Sequence, residues 1–179
     1  PDYFEKLLNK FELDKNLGIA GGLIFELIDN SYIKQNINLN SVAGAVQLFR
    51  RKCYEDTGGY VPLIVGGIDT VAEVSARMNG WKTSTFPEIK VFHHRYVGVG
   101  TGSLFKSHFK NGIQNYSLGY HPLFQILFAI KHFNNKPLLI TSILMLLGYI
   151  WAFLCNDTRQ VSNKFVKYLR TEQMKRIGF

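Results

Sequence analysis

The stretch Leu138–Cys155 constrains this chain more than any other, because its 18 residues include no charged side chain. A membrane-spanning helix needs about 20 mainly apolar residues, with a range of about 17 to 25, so the run reaches the length of a span. The apolar stretch before it, Pro122–Phe133, does not. Lys131 and Lys136 precede the run and a cationic tail follows it, so a single span would leave one basic set on the far side of the membrane. The charge pattern favours a helical hairpin dipping into one leaflet, with the flanks and the folded domain on the cytoplasmic side; a single span is the alternative. A buried core helix of a soluble protein is the third arrangement. Tyr149, Trp151 and the adjoining basic segment argue for the membrane instead.

The tail carries Arg159, Lys164, Lys167, Arg170, Lys175 and Arg176, with Phe165, Val166, Leu169, Met174 and Ile177 among them. Such a segment either lies on an anionic membrane surface or is a solvated charged helix. A formal net charge of +8 suits nucleic acid, anionic lipid and phosphorylated substrates alike. Its position beside the apolar run favours lipid. No zinc-finger spacing, RNP-like aromatic strand or base-reading basic helix is present, which argues against nucleic acid. Cys53 and Cys155 are the only cysteines, too few and too far apart for a disulfide framework, and they fit a reducing compartment. The 179 residues give room for one core and an appendage.

Before the apolar run the pattern is α/β. Phe4, Leu7, Leu8 and Phe11 recur at helical spacing. Ile19–Leu27 reads as a core strand and the Asn-rich stretch Asp29–Ser41 as a surface loop. Val42–Phe49 reads as a strand with Gly44 permitting close approach, closed by Arg50 and Arg51. After TGGY and a second glycine pair, a helix is expected over Thr70–Asn79, and Glu88–His93 as a further strand. Beyond the glycines at 98, 100 and 102, Phe105, Phe109, Ile113 and Tyr116 make a helical stripe suited to core packing. The segments group as a domain over 1–118, an apolar helical region over 119–156 and a basic tail over 157–179.

Asp69 follows Gly66, Gly67 and Ile68 where a helix begins. That position suits a helix cap, the commoner job of a lone aspartate after glycines, and a carboxylate there can also abstract a proton. Taken in order, PDYFEKLL, VAGAVQLFRR, TGGY, GGIDT, AR-x-x-GWKT and HHR resemble the acceptor-side half of family 2 glycosyltransferases of the GT-A fold, over Pro1 to about Arg95. GYHPLF and the apolar hairpin resemble, more loosely, the membrane-associated extensions of exopolysaccharide-type members.

The resemblance implies the C-terminal half of a GT-A, Rossmann-like α/β domain followed by membrane-associating helices. It implies an inverting transfer from a nucleotide-sugar donor to a glycan or polyprenyl-linked acceptor, in cell-surface polysaccharide or glycolipid synthesis at the cytoplasmic face of the membrane. Asp69 is the implied general base. His94 with Arg95 would face the donor diphosphate or metal, unless they are a core histidine and a surface arginine. Gln47, Arg50 and Gly67 would border the acceptor, although arginines at strand ends are usually solvated. A divalent cation, Mg or Mn, is implied, and the family's metal-binding Asp-x-Asp is not in this sequence. Pro1-Asp2-Tyr3 resembles the segment just after that motif, so the chain is expected to begin there and to be inactive alone. Many polysaccharide synthases have Glu-Asp at the base and Gln-x-x-Arg-Trp further on. Here Ile68 precedes Asp69 and HHRYVG stands instead, which argues against a processive synthase.

Overall fold

The computed structural model describes residues 2–28, 30–94, 104–131 and 140–178. The chain is mixed α/β and divides into two compact units, residues 1–62 with 68–97 and residues 63–67 with 98–179.

The first unit is built on one long strand. β1 (Leu17–Ile28) is buried without interruption from Leu17 to Ile24 and half-buried beyond, the pattern of a strand covered on both faces. β4 (Lys82–His93) lies parallel along one edge, while β2 (Ser31–Lys34) and β3 (Leu48–Phe49) pair antiparallel with the other edge at its two ends. The β1–β4 register slips between Gly22 and Leu23, and Pro87 falls in the bulge, where its missing N–H costs no ladder bond. α1 (Tyr3–Leu13) buries Leu7 and Phe11 against Leu17, Ala20 and Ile89. Ile19, on the opposite face from Ala20, packs with Val42, Cys53 and Ala76, the last two from α2 (Arg51–Thr57) and α3 (Ile68–Met78). α2 and α3 thus supply the helical crossover that joining parallel strands requires. Burial, then the Asp56 charge, pushes the Cys53 thiol up to about 11, so it is an inert core group.

Two local expectations change. Asp29–Ser41 is more than a loop: β2 lies within it, fully exposed and held by pairing at the sheet edge, which leaves no apolar alternation to read. Val42–Phe49 is not one strand. Residues Gly44–Val46 form a 3-10 turn and only Leu48–Phe49 pair with β1, because the Val42 N–H that a ladder would use donates to the Glu73 carboxylate instead.

The second unit is helical: α4 (Leu104–Ser117), α5 (Pro122–Lys131), α6 (Ile140–Leu154) and α7 (Asn163–Arg176). α4 belongs here rather than with the α/β domain, so the boundary expected at 118 falls before α4. α4 and α6 meet backbone to backbone. A Cβ on Gly112 would lie 2.0 Å from the Met145 carbonyl oxygen, and one on Gly148 would lie 2.0 Å from that of Phe109. Tyr116, Tyr149 and Ala152 form the core beside this crossing. The Ser162 hydroxyl caps α7 by accepting from Phe165 N–H at 3.2 Å. Gln173 of α7 accepts from His121 N–H at 2.8 Å, and Arg170 donates to the Gly119 carbonyl at 2.9 Å.

The apolar run yields a 15-residue helix, about 22 Å long at about 1.5 Å per residue, against about 30 Å of hydrocarbon. Among the described residues no helix is long and apolar enough to cross a membrane; residues 132–139, including the turn expected at FNNKP, lie outside them. Of the tail's apolar residues, Phe165, Val166 and Leu169 are buried within the unit, while Met174 and Ile177 are half-buried.

Candidate functional site

Asp69 lies in the first turn of α3. Its Oδ1 accepts the Thr70 N–H at 2.9 Å. Its other oxygen, Oδ2, sits beside Gly44 of the 3-10 turn: a Cβ added there would lie 2.8 Å from it. Gly44 is thus the close approach that the sequence pattern required, and its neighbour is the carboxylate. Asp69 and Thr70 line a recess of about 430 Å3 with Ser41, Val42, Gln35 and Glu73, within the size of small-ligand sites.

Glu73, one helical turn after Asp69, is the residue missed in the sequence. It is 4% exposed and accepts from Val42 N–H, from the Ser41 hydroxyl at 2.8 Å and from the Gln47 amide at 3.3 Å. Arg77 lies 3.6 Å away. Burial holds its carboxyl above the usual carboxylate range, against the pull of those hydrogen bonds. Glu73 therefore fastens the segment Ser41–Gln47 to α3 and shapes the wall of the recess. An acid on the buried face of an amphipathic helix was the available signal. Gln35 was also missed. Its Nε2 donates to Glu26 at 3.2 Å, while its buried Oε1 has no hydrogen-bond partner among the described residues.

Of the remaining expected site residues, Gln47 reaches the recess wall but its amide is engaged: Nε2 donates to the Val42 carbonyl at 3.0 Å, and Oε1 accepts from the Tyr60 hydroxyl at 2.7 Å. Burial first, and the Asp69 charge next, raise the Tyr60 phenol. Arg50 does not line the recess. Its guanidinium donates to the carbonyls of Leu17, Phe11 and Asp14 at 2.9, 2.5 and 3.1 Å and lies over the Phe11 ring. It closes the end of α1, a job suited to its planar fork. Gly67, at φ +84°, groups with the helical unit, where a Cβ would meet Gln114 and Leu118. His94 is exposed at the end of β4, its Nδ1 2.8 Å from the Tyr32 hydroxyl. Arg95 lies outside the described residues.

Among the described residues no three His, Cys, Asp or Glu side chains come together to hold a metal ion. Compared with protein-family models, curated proteins and solved structures, the chain matches none.

Proposed function

We propose that this chain carries the acceptor side of an inverting glycosyltransferase at the cytoplasmic face of a membrane, with Asp69 as general base. The donor class is a nucleotide sugar and the acceptor a glycan or polyprenyl-linked sugar. The observation that carries the reading is the Asp69 carboxylate on a recess whose wall also holds a buried acceptor atom, Gln35 Oε1, with no donor among the described residues.

The chemistry follows from the two carboxylates' different surroundings. The Thr70 N–H holds Asp69 Oδ1, which fixes the carboxylate plane. Among the described residues Oδ2 has no hydrogen-bond donor, so it is the oxygen available to an acceptor hydroxyl. As the hydroxyl oxygen bonds to the anomeric carbon, its proton passes to Oδ2 and the bond from that carbon to the nucleoside diphosphate breaks. Attack opposite the leaving group inverts the centre. A second hydroxyl of the acceptor donates to Gln35 Oε1, which orients the sugar. Glu73 is unsuited to the proton transfer because its oxygens already accept from Val42, Ser41 and Gln47.

The reading includes a divalent cation to neutralise the departing diphosphate. The described residues supply no ligand set for it, so no step above runs through it.

One contact favours a second reading, a non-catalytic membrane-anchoring or assembly module: the Thr70 N–H bond to Asp69 serves a helix start equally well. The two part on one experiment. The protein at its natural length, solubilised in detergent, is incubated with a panel of nucleotide sugars and a lipid extract, and release of nucleoside diphosphate is followed. Asp69→Asn should lower transfer by about 10²- to 10⁴-fold with an unchanged far-UV spectrum. Equal turnover in that variant overturns the base assignment.

A further inference from the structure

Two helices of the helical unit, α5 and α6, have their polarity reversed. α6 carries no charged residue, and every exposed side chain on it is apolar, with Ile140, Ile143, Leu147, Ile150 and Leu154 in one stripe at three- and four-residue spacing. Its buried positions include Thr141, Ser142, Gly148 and Ala152. α5 repeats the arrangement: Gln125 and Ala129 are buried while Leu123, Ile126, Leu127 and Ile130 are exposed. Inside the unit, Asn115 of α4 donates to Gln125 at 2.9 Å. A helix facing water hides its apolar side and shows its polar one. Small and polar residues at helix contacts with large aliphatics outside is the packing expected in hydrocarbon, where apolar burial between helices brings no gain.

Charge sits at one border of this exterior. Phe105, Lys106, Phe109 and Lys110 of α4 line, with Leu144 of α6, a cleft of about 310 Å3. The two lysines are exposed, one helical turn apart, and neither has an ion-pair partner among the described residues. Their methylene stems can lie along the apolar walls while the ammonium groups reach an interface.

We infer that this cleft seats an acyl chain of an anionic phospholipid, its phosphate held by Lys106 and Lys110, with α5 and α6 lying in a single leaflet. A second copy docked stripe to stripe would cover the aliphatic side chains, but α5 and α6 carry no acidic residue to meet the lysines. The described helix Ile140–Leu154 is too short to cross both leaflets. The inference rests on the membrane placement proposed above and is independent of sugar transfer.

Trp81→Phe leaves Trp151, 57% exposed on α6, as the one tryptophan. Vesicles of phosphatidylcholine, alone or mixed two to one with phosphatidylglycerol, carry bromine in their acyl chains. Trp151 emission should be quenched, and more at equal lipid when phosphatidylglycerol is present. Lys106→Gln with Lys110→Gln should weaken binding to the mixed vesicles by about 25-fold, at about fivefold per lysine. Vesicle flotation of the chain with Trp81 intact gives the same comparison without relying on that substitution. Asp69→Asn should bind as the parent does, which separates failure of this inference from failure of the catalytic reading. Absent quenching, binding indifferent to the two lysines, or lipid-free dimers with Trp151 shielded from aqueous iodide would each overturn it.

Discussion

Removing the Glu73 carboxylate should unfasten the wall of the recess. In Glu73→Ala the buried Val42 N–H loses its acceptor, the Ser41 hydroxyl and Gln47 amide lose one each, and Arg77 loses a carboxylate 3.6 Å away. A stranded buried donor costs about 1 to 3 kcal/mol, and breaking a buried charge pair about 3 to 5 kcal/mol. These terms share one network and do not add, so a loss of about 3 to 5 kcal/mol is expected. Glu73→Gln keeps one carbonyl for Val42 and should cost about 1 to 2 kcal/mol. The assay is urea unfolding followed at Trp81, whose indole donates to Asp56 in the same unit, in a Trp151→Phe background. If Glu73→Ala falls within about 1 kcal/mol of the parent, or the two variants lose equally, the fastening role is wrong.

The same residue sets a pH dependence. Its carboxyl is raised above 4.5 in the folded chain, so the folded state holds the proton more tightly. Its stabilising contribution is complete below that value and is lost as pH rises through the folded one. The deficit of Glu73→Gln against the parent should therefore shrink as pH climbs from 4.5, measured as paired urea midpoints. Arg50→Lys should cost about 2 kcal/mol, since one ammonium cannot fork across three carbonyls. It should leave acceptor KM unchanged, and a raised KM would return Arg50 to the acceptor site. Gly148→Ala drives a Cβ into the Phe109 carbonyl; thermal unfolding of the helical signal should show a loss of about 3 kcal/mol.

Periodicity was enough to locate the helices, β1 and the second half of β4, whose first half, Lys82–Pro87, lay outside the expected Glu88–His93. β1 is a continuous apolar run, α1 and α3 repeat every three to four residues, and β4 ends on His93 as its alternation predicts. These signals are local, and local sterics and burial produce them. What they left out depends on partners distant in sequence. Nothing near Val42 announces that its N–H will meet a carboxylate 31 residues on. Gln35 sits in a stretch with no period at all, and Arg50 reads like any arginine at a strand end until the carbonyls of α1 are placed beside it.

The apolar run shows the division most plainly. Composition alone established that residues 138–155 hold no charge and that cations surround them. Which side of that helix faces outward was decided by packing. Gly148 meets Gly112 of α4 because only glycine lets two backbones come so close, and that contact turns Thr141, Ser142 and Ala152 inward and leaves the isoleucines and leucines outside. Likewise the sequence put Asp69 at the head of a helix with Glu73 one turn on, whereas the tertiary structure put Gly44 and Gln35 around it. A helix start is set by neighbouring residues, but a recess exists only once α3, the 3-10 turn and the stretch after β1 are held together.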